Sequence, residues 1–301
     1  MRDGVSPSCI AMPPQWRSAV RWPTLLDFLV DRMPSVGRTG WQQRMAAGEV
    51  LNEQGQPVGP TDAFQGGGRL YYWRTLADEP VIPFEAHVLF EDTHLLVVDK
   101  PHFLPVTPSG RFVRQSLLVR LKQTRGIETL SPIHRIDRET AGLVLLSLRP
   151  QDRAAYHAMF RQQVVDKTYE AIAPFEPKLT RPKRYQSRLI EDPDAFYRMI
   201  EVDGAPNSET TIELLEPRGH WARYRLNPRT GKRHQLRVHM AALGLPLLGD
   251  QFYPHVQRGP QETEDFTNPL RLLARAIAFT DPVTGQSRRF ESRRHLDWPP
   301  L

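Results

Sequence analysis

The chain has 301 residues, 40% of them apolar, enough for one large domain with a real core plus a small one, which excludes a disordered chain. Forty Lys and Arg against 34 Asp and Glu leave a formal charge of +6, which favours a polyanionic partner without identifying it. A single cysteine, Cys9, excludes an internal disulfide framework and a cysteine-rich zinc site, and it suits a reducing compartment such as the cytoplasm.

The first residues hold no unbroken apolar core of signal-peptide length, and no run of about 18 apolar residues occurs anywhere, so neither export nor membrane association is expected. Residues 1–22 carry Pro, Ser and Trp without a period and are read as a flexible N-terminal arm. Leu25, Leu26, Phe28, Leu29 and Met33 follow helical spacing, and a second helix is predicted from Thr39 to Ala47 around Trp41 and Met45. Gly48 ends it, Glu49 to Leu51 reads as a strand, and Gly66, Gly67 and Gly68 lead into a strand over Arg69 to Arg74. That glycine run lacks the Lys-Ser/Thr that a phosphate-cradling loop needs. Residues 23–75 thus form a small helical and β unit, with Arg38, Arg44 and Arg74 either facing a polyanionic partner or serving as solvated charges.

Residues 76–86, with two prolines and three acids, read as a linker, and residues 87–301 as a second domain. In it His94 to Lys100 is a buried-type strand stopped by Pro101, Gly142 to Leu148 another, and Gln151 to Val165 an amphipathic helix. Further strands are predicted at Thr168 to Ala173, Gln186 to Ile190, Thr210 to Leu215, Tyr224 to Leu226 and Leu272 to Phe279. A helix capped by Thr230 and stopped by Gly244 lies between the last two, with Leu236, Met240 and Leu243 on its core side. Strands outnumber helices and do not alternate with them, so the expected class is α+β, with a mixed, mainly antiparallel sheet.

The run His134-Arg135-Ile136-Asp137-Arg138 sets a carboxylate between two arginines, just before a buried strand. Neighbouring positive charge favours the carboxylate form, and a sheltered carboxylate can act as a nucleophile. On charge pattern alone the same run also fits a structural ion pair.

His134 to Ser147 resembles the signature of RluA-type pseudouridine synthases, a His-Arg-Leu-Asp run followed by Thr-Ser-Gly-Leu, with Ile136 and Ala141 in place of Leu and Ser. Lys167 to Ala171 is similar to the family's Lys-x-Tyr-x-Ala strand, and Thr230 to His239 to its Thr-Gly-Arg-x-His-Gln-x-Arg-x-His run, with Lys232 where Arg is common. Val97 to Pro101 and Leu247 to Asp250 with Tyr253 match two more segments, with Lys100 and Asp250 readable as architectural. The matches run in family order over residues 88–280, which is more specific than any one of them.

The resemblance implies a pseudouridine synthase fold and an isomerase that flips a uridine out of folded RNA. Asp137 is then the nucleophile, attacking the anomeric carbon or promoting glycal formation. Tyr169 lies against the base, and Arg237 holds the carboxylate ionised. Arg135 fills the vacated stack or clamps a phosphate, and His134, Arg138 and Arg233 join it in binding RNA. No organic cofactor and no metal is implied. Residues 23–75 resemble the ribosomal S-four type RNA-binding module, which points to ribosomal RNA, that of the large subunit, ahead of transfer RNA, and to a monomer. Two other readings stand beside this one: a metal hydrolase built on His134, His234 and His239, and a non-catalytic RNA-binding protein with a synthase-like fold. The spacing of His234 and His239 does not give metal ligands the i, i+4 alignment they need on one helix.

Overall fold

Thr24 opens the first helix with a capping box: its hydroxyl accepts from the Asp27 N–H, and the Asp27 carboxylate accepts from the Thr24 N–H. The computed structural model describes residues 4–14, 22–74, 79–259, 262 and 265–299, and divides the chain into two units, residues 1–79 and 80–301.

In the first unit helices α1 (Leu25–Arg32) and α2 (Gly37–Ala46) cover a three-stranded antiparallel sheet, ordered β1 (Ser8–Ala11), β3 (Arg69–Tyr72), β2 (Val50–Leu51). Phe28, Leu29, Trp41, Met45, Val50 and Leu70 form its core. Ser8–Ala11 fall in the stretch read as an arm. They are a strand because Ile10 packs on this core and the backbone pairs with β3. Residues 15–21 of that arm lie outside the described residues.

The second unit is built on a sheet ordered β10 (Met199–Val202), β9 (Lys183–Glu191), β11 (Ser208–Arg218), β12 (Trp221–Pro228), β8 (Asp166–Pro174), β13 (Leu272–Thr280), β7 (Ala141–Ser147), β5 (Leu95–Lys100), β4 (His87–Glu91). Two strands sit off this path: β6 (Ser131–Pro132) on β7, and β14 (Ser287–Glu291) on β13. Every pairing is antiparallel except β7 with β13, so the class is the expected α+β with a mixed, mainly antiparallel sheet. Helices α3 (Leu117–Arg125), α4 (Arg153–Arg161) and α5 (Gln235–Ala242) complete the unit. All seven residues of β7 are buried, as are all six of β5, which explains their continuous apolar runs.

The stretch read as a linker is in part core. Ile82 is 2% exposed, and Arg120 of α3 donates to the carbonyls of Ile82 and Phe84, so the second unit takes in residues 80–86. Residues 75–78 lie outside the described residues. Helix α5 begins at Gln235 rather than at Thr230. The Thr230 hydroxyl is already engaged with the Glu209 N–H and the Gln235 side chain, and His234 takes the N-cap position in the left-handed region at φ 53°.

The parallel contact of β7 with β13 positions the site. Gly142, at φ 110°, lies so close to β13 that a Cβ there would meet the Ala274 carbonyl oxygen at 2.3 Å. Only glycine allows this approach. It brings the loop feeding β7, residues 133–140, beside β8 and the start of α5.

Candidate active site

Asp137 lies in that loop, between β6 and β7, anchored on either side by the buried Ile133 and Ile136 and by a turn in which the Thr140 N–H donates to the Asp137 carbonyl. Its carboxylate is 19% exposed and sits where two clefts meet. The inner cleft is lined by Asp137, Thr140, Lys167, Tyr169, Lys232, His234, Arg237 and Leu272. The outer, wider cleft is lined by Thr107, Arg111, Phe112, Arg135, Arg138, Phe196, Tyr197, Arg233 and Phe252, a mix of cationic and aromatic groups.

Arg237 is 1% exposed and holds the site together. Its Nε and Nη2 form a two-pronged pair with Asp250 at 2.8 and 2.7 Å. The guanidinium lies over the rings of Phe252 and Tyr253. Nη1 is left without a hydrogen-bond partner, 3.8 Å from Asp137 Oδ2 and 3.6 Å from Glu139 Oε2. The expected pairing of Arg237 with Asp137 is therefore its secondary contact. Asp250, readable from sequence as architectural, takes the fork because it is fully buried and needs a buried cation.

Other acids and bases crowd the same point. Burial alone would raise Glu139, but Arg138, Arg237 and His234 draw its carboxyl down to about 2. Burial lowers Lys100 to about 7 against the opposing pull of Glu139 and Asp137, and its Nζ donates to the carbonyls of Pro101 and Arg138, behind the Asp137 loop. Burial likewise lowers Lys167 to about 8 while its Nζ donates to the Thr230 carbonyl. The Tyr169 hydroxyl is pushed well above its ordinary value by burial and then by the Asp137 charge, which keeps the phenol protonated beside the carboxylate.

The expected RNA-binding residues fare differently. Arg135 is exposed and lines both clefts. Arg138 lines the outer cleft, but its guanidinium pairs with Glu139 and lies over Phe112. Arg233 also lines it, while its Nη2 donates to the carbonyls of Phe196 and Arg198 and so pins the β9–β10 hairpin. His134 lines neither cleft. Its ring stacks on Phe160 and its Nε2 accepts from the Leu145 N–H, so it braces β7. His134, His234 and His239 do not converge, because His239 is turned into the sheet towards Ser187, Ser208 and Thr210. Glu139 was missed from sequence. Its signal was an acid beside Arg138 in a run otherwise bound for the core. His234 entered only as a metal ligand.

Residues 94–242 match the family model described as RNA pseudouridylate synthase. The chain is 34% identical over 232 residues to the uncharacterized RNA pseudouridine synthase slr1592 of Synechocystis, covering 76% of this chain and 79% of that one. It is 29% identical to the dual-specificity RNA pseudouridine synthase RluA of Escherichia coli strain K12, over 68% of this chain and 91% of RluA. Human RNA pseudouridylate synthase domain containing 1 shares the fold, with a TM-score of 0.57 at 21% identity, over 72% of this chain and 86% of that one. The chain belongs to the RluA-type RNA pseudouridine synthases. It is an isomerase whose substrate is RNA.

Proposed function

We propose that this enzyme converts specific uridines of structured ribosomal RNA, in the large subunit, to pseudouridine, with Asp137 as the nucleophile. The observation that carries this reading is the position of the Asp137 carboxylate where an inner cleft holding Tyr169 opens into a broad cationic and aromatic one. RNA lies along the outer cleft, and the target nucleotide is extruded into the inner one, where its ribose meets Asp137. Arg135, exposed at the junction, fills the gap left in the stack or clamps a neighbouring phosphate.

Asp137 either attacks the anomeric carbon and is displaced again when the base rejoins there, or takes the neighbouring C2′ proton to form the glycal and returns it as the new bond closes. In either route the glycosidic electron pair leaves on the uracil nitrogen. The base turns within the cleft and rejoins through a ring carbon, whose proton is replaced on nitrogen, so atoms and charge balance without a co-reactant. Tyr169, kept as a neutral phenol, relays that proton and offers a ring face to the base.

Residues 23–75 act as an additional RNA contact in this reading. Within it, Arg38 pairs with Asp27 at 2.5 Å, and Arg44 lies over Trp41 and donates to the Trp73 carbonyl, so these two cations are braced by the fold. Arg74 ends the same unit. The enzyme works as a cytoplasmic monomer. No helix among the described residues is long and apolar enough to cross a membrane.

Pseudouridine maps of total RNA from cells with and without this protein test the assignment. Loss of one or a few sites in large-subunit ribosomal RNA is expected. Loss confined to transfer RNA would overturn the ribosomal target, and unchanged maps would overturn both.

A further inference from the structure

Tyr253 Oη accepts from the Met199 N–H at 2.7 Å and lies 2.9 Å from His234 Nδ1. A phenol carries one hydrogen, and among the described residues the Nδ1 lone pair is the acceptor placed to take it. Tyr253 therefore donates to Nδ1, which leaves the imidazole proton on Nε2. That nitrogen is 4.0 Å from Asp137 Oδ1, while Arg237 Nη1 is 3.8 Å from Oδ2.

We infer that His234 is a positioning residue for Asp137: a neutral imidazole, locked by Tyr253 into the Nε2–H form, that offers a donor to one carboxylate oxygen while Arg237 faces the other. The role rests on Asp137 being the nucleophile; the tautomer does not.

Three observations support it. The ring is flanked on two sides, with Phe252 roughly parallel to it at 6.0 Å and Tyr253 edge-on at 5.7 Å between ring centres. The backbone of His234 is in the left-handed region at φ 53°, an unfavourable choice for a non-glycine residue that aims the side chain at the clefts. Burial, reinforced by Arg237 and Arg233 and only partly opposed by Asp137 and Glu139, lowers the imidazole to about 4, so it is uncharged at neutral pH. Neutrality matters chemically. Arg237 already supplies a permanent charge, and a second cation would further stabilise the carboxylate and blunt it as a nucleophile. A neutral donor orients without that penalty, and the gaps of 3.8 and 4.0 Å leave the carboxylate free to close on both donors when ribose arrives.

Two substitutions separate this role from a backbone one. The amide nitrogen of His234→Gln reaches the place of Nε2, whereas that of His234→Asn stops near Nδ1; yet Asn tolerates the left-handed backbone better than Gln. If His234 acts through its Nε2–H, Gln keeps single-turnover pseudouridine formation about tenfold or more above Asn, with RNA affinity alike in both. Asn equal to or above Gln would overturn the role.

Nitrogen-15 NMR of the full-length protein reads the tautomer directly, with the His234 signals assigned by their loss in His234→Gln. The expected result is a bare Nδ1 and a protonated Nε2, unchanged from about pH 8 to about pH 5, with the Nδ1–H form rising in Tyr253→Phe. A doubly protonated ring or an Nδ1–H form at neutral pH would overturn the inference. This arm needs no RNA, so its failure is separable from failure of the synthase assignment.

Discussion

Arg237 is the residue on which the site turns, and its behaviour follows from a count of its donors. Two nitrogens are committed to Asp250, whose Oδ1 also accepts the N–H groups of Phe252 and Tyr253, and the third faces Asp137 and Glu139. Asp250 thus positions the cation and the aromatic residues beneath it at once. Removing one partner of a buried pair leaves an uncompensated charge, at a cost of about 3–5 kcal/mol. Asp250→Ala is expected to lose that much stability by denaturant unfolding, and Asp250→Asn, which keeps an acceptor oxygen, clearly less. A loss under about 0.5 kcal/mol for Ala would show that Arg237 has another anchor. The sequence motif pointed to Asp137, Tyr169 and Arg237 as a group. It could not apportion the arginine's nitrogens, because that depends on which of three nearby acids is fully dry.

At the scale of elements, α5 brings two of the site's side chains, and it docks through polar bonds as much as apolar ones. His239 is buried between Thr210 Oγ1 and the hydroxyls of Ser208 and Ser187, which ties α5 to β11 and β9. Burial lowers its imidazole from 6.5 to about 4, and His234 at the head of the helix is lowered to the same level. The unfolded chain takes up these protons near pH 6.5, the folded chain only near pH 4, so stability is full above 6.5 and is lost as pH falls towards 4. The denaturation midpoint is expected to be lower at about pH 5 than at about pH 7.5. An equal or higher midpoint at the acid value would contradict neutral docking. Strands β5 and β7 were readable because burial on both faces leaves long apolar runs, and β13 because Arg275 is the one charged residue among its apolar ones. Edge strand β14 was not among the expected strands, because it alternates exposed Ser287, Arg289 and Glu291 with half-buried Arg288 and Phe290 and so has a single apolar residue. Helix α3 escaped notice because its buried residues include Leu117, Val119 and Lys122, which spoils a clean helical period.

For the whole molecule, the sheet order explains why residues far apart in sequence share one site. The parallel contact of β7 and β13 and the antiparallel pairing of β13 with β8 bring the Asp137 loop beside Tyr169, and α5 arrives with His234 and Arg237. The antiparallel class followed from counting strands. The β7–β13 contact did not, because it depends on the approach of Gly142 to Ala274, a long-range feature with no local pattern. The two units were legible as composition changes, but the boundary lies at residue 80, since Ile82 belongs to the second core. The proposed role of Asp137 is to perform the chemistry while doing little for the fold, since its side chain is partly exposed and, among the described residues, no group hydrogen-bonds it. Its most direct test is pseudouridine formation by purified Asp137→Asn beside the wild type, on total RNA from cells lacking the protein, with denaturation of both followed in parallel. The expected result is an unchanged unfolding transition and no pseudouridine from the variant; pseudouridine at the wild-type rate would contradict it.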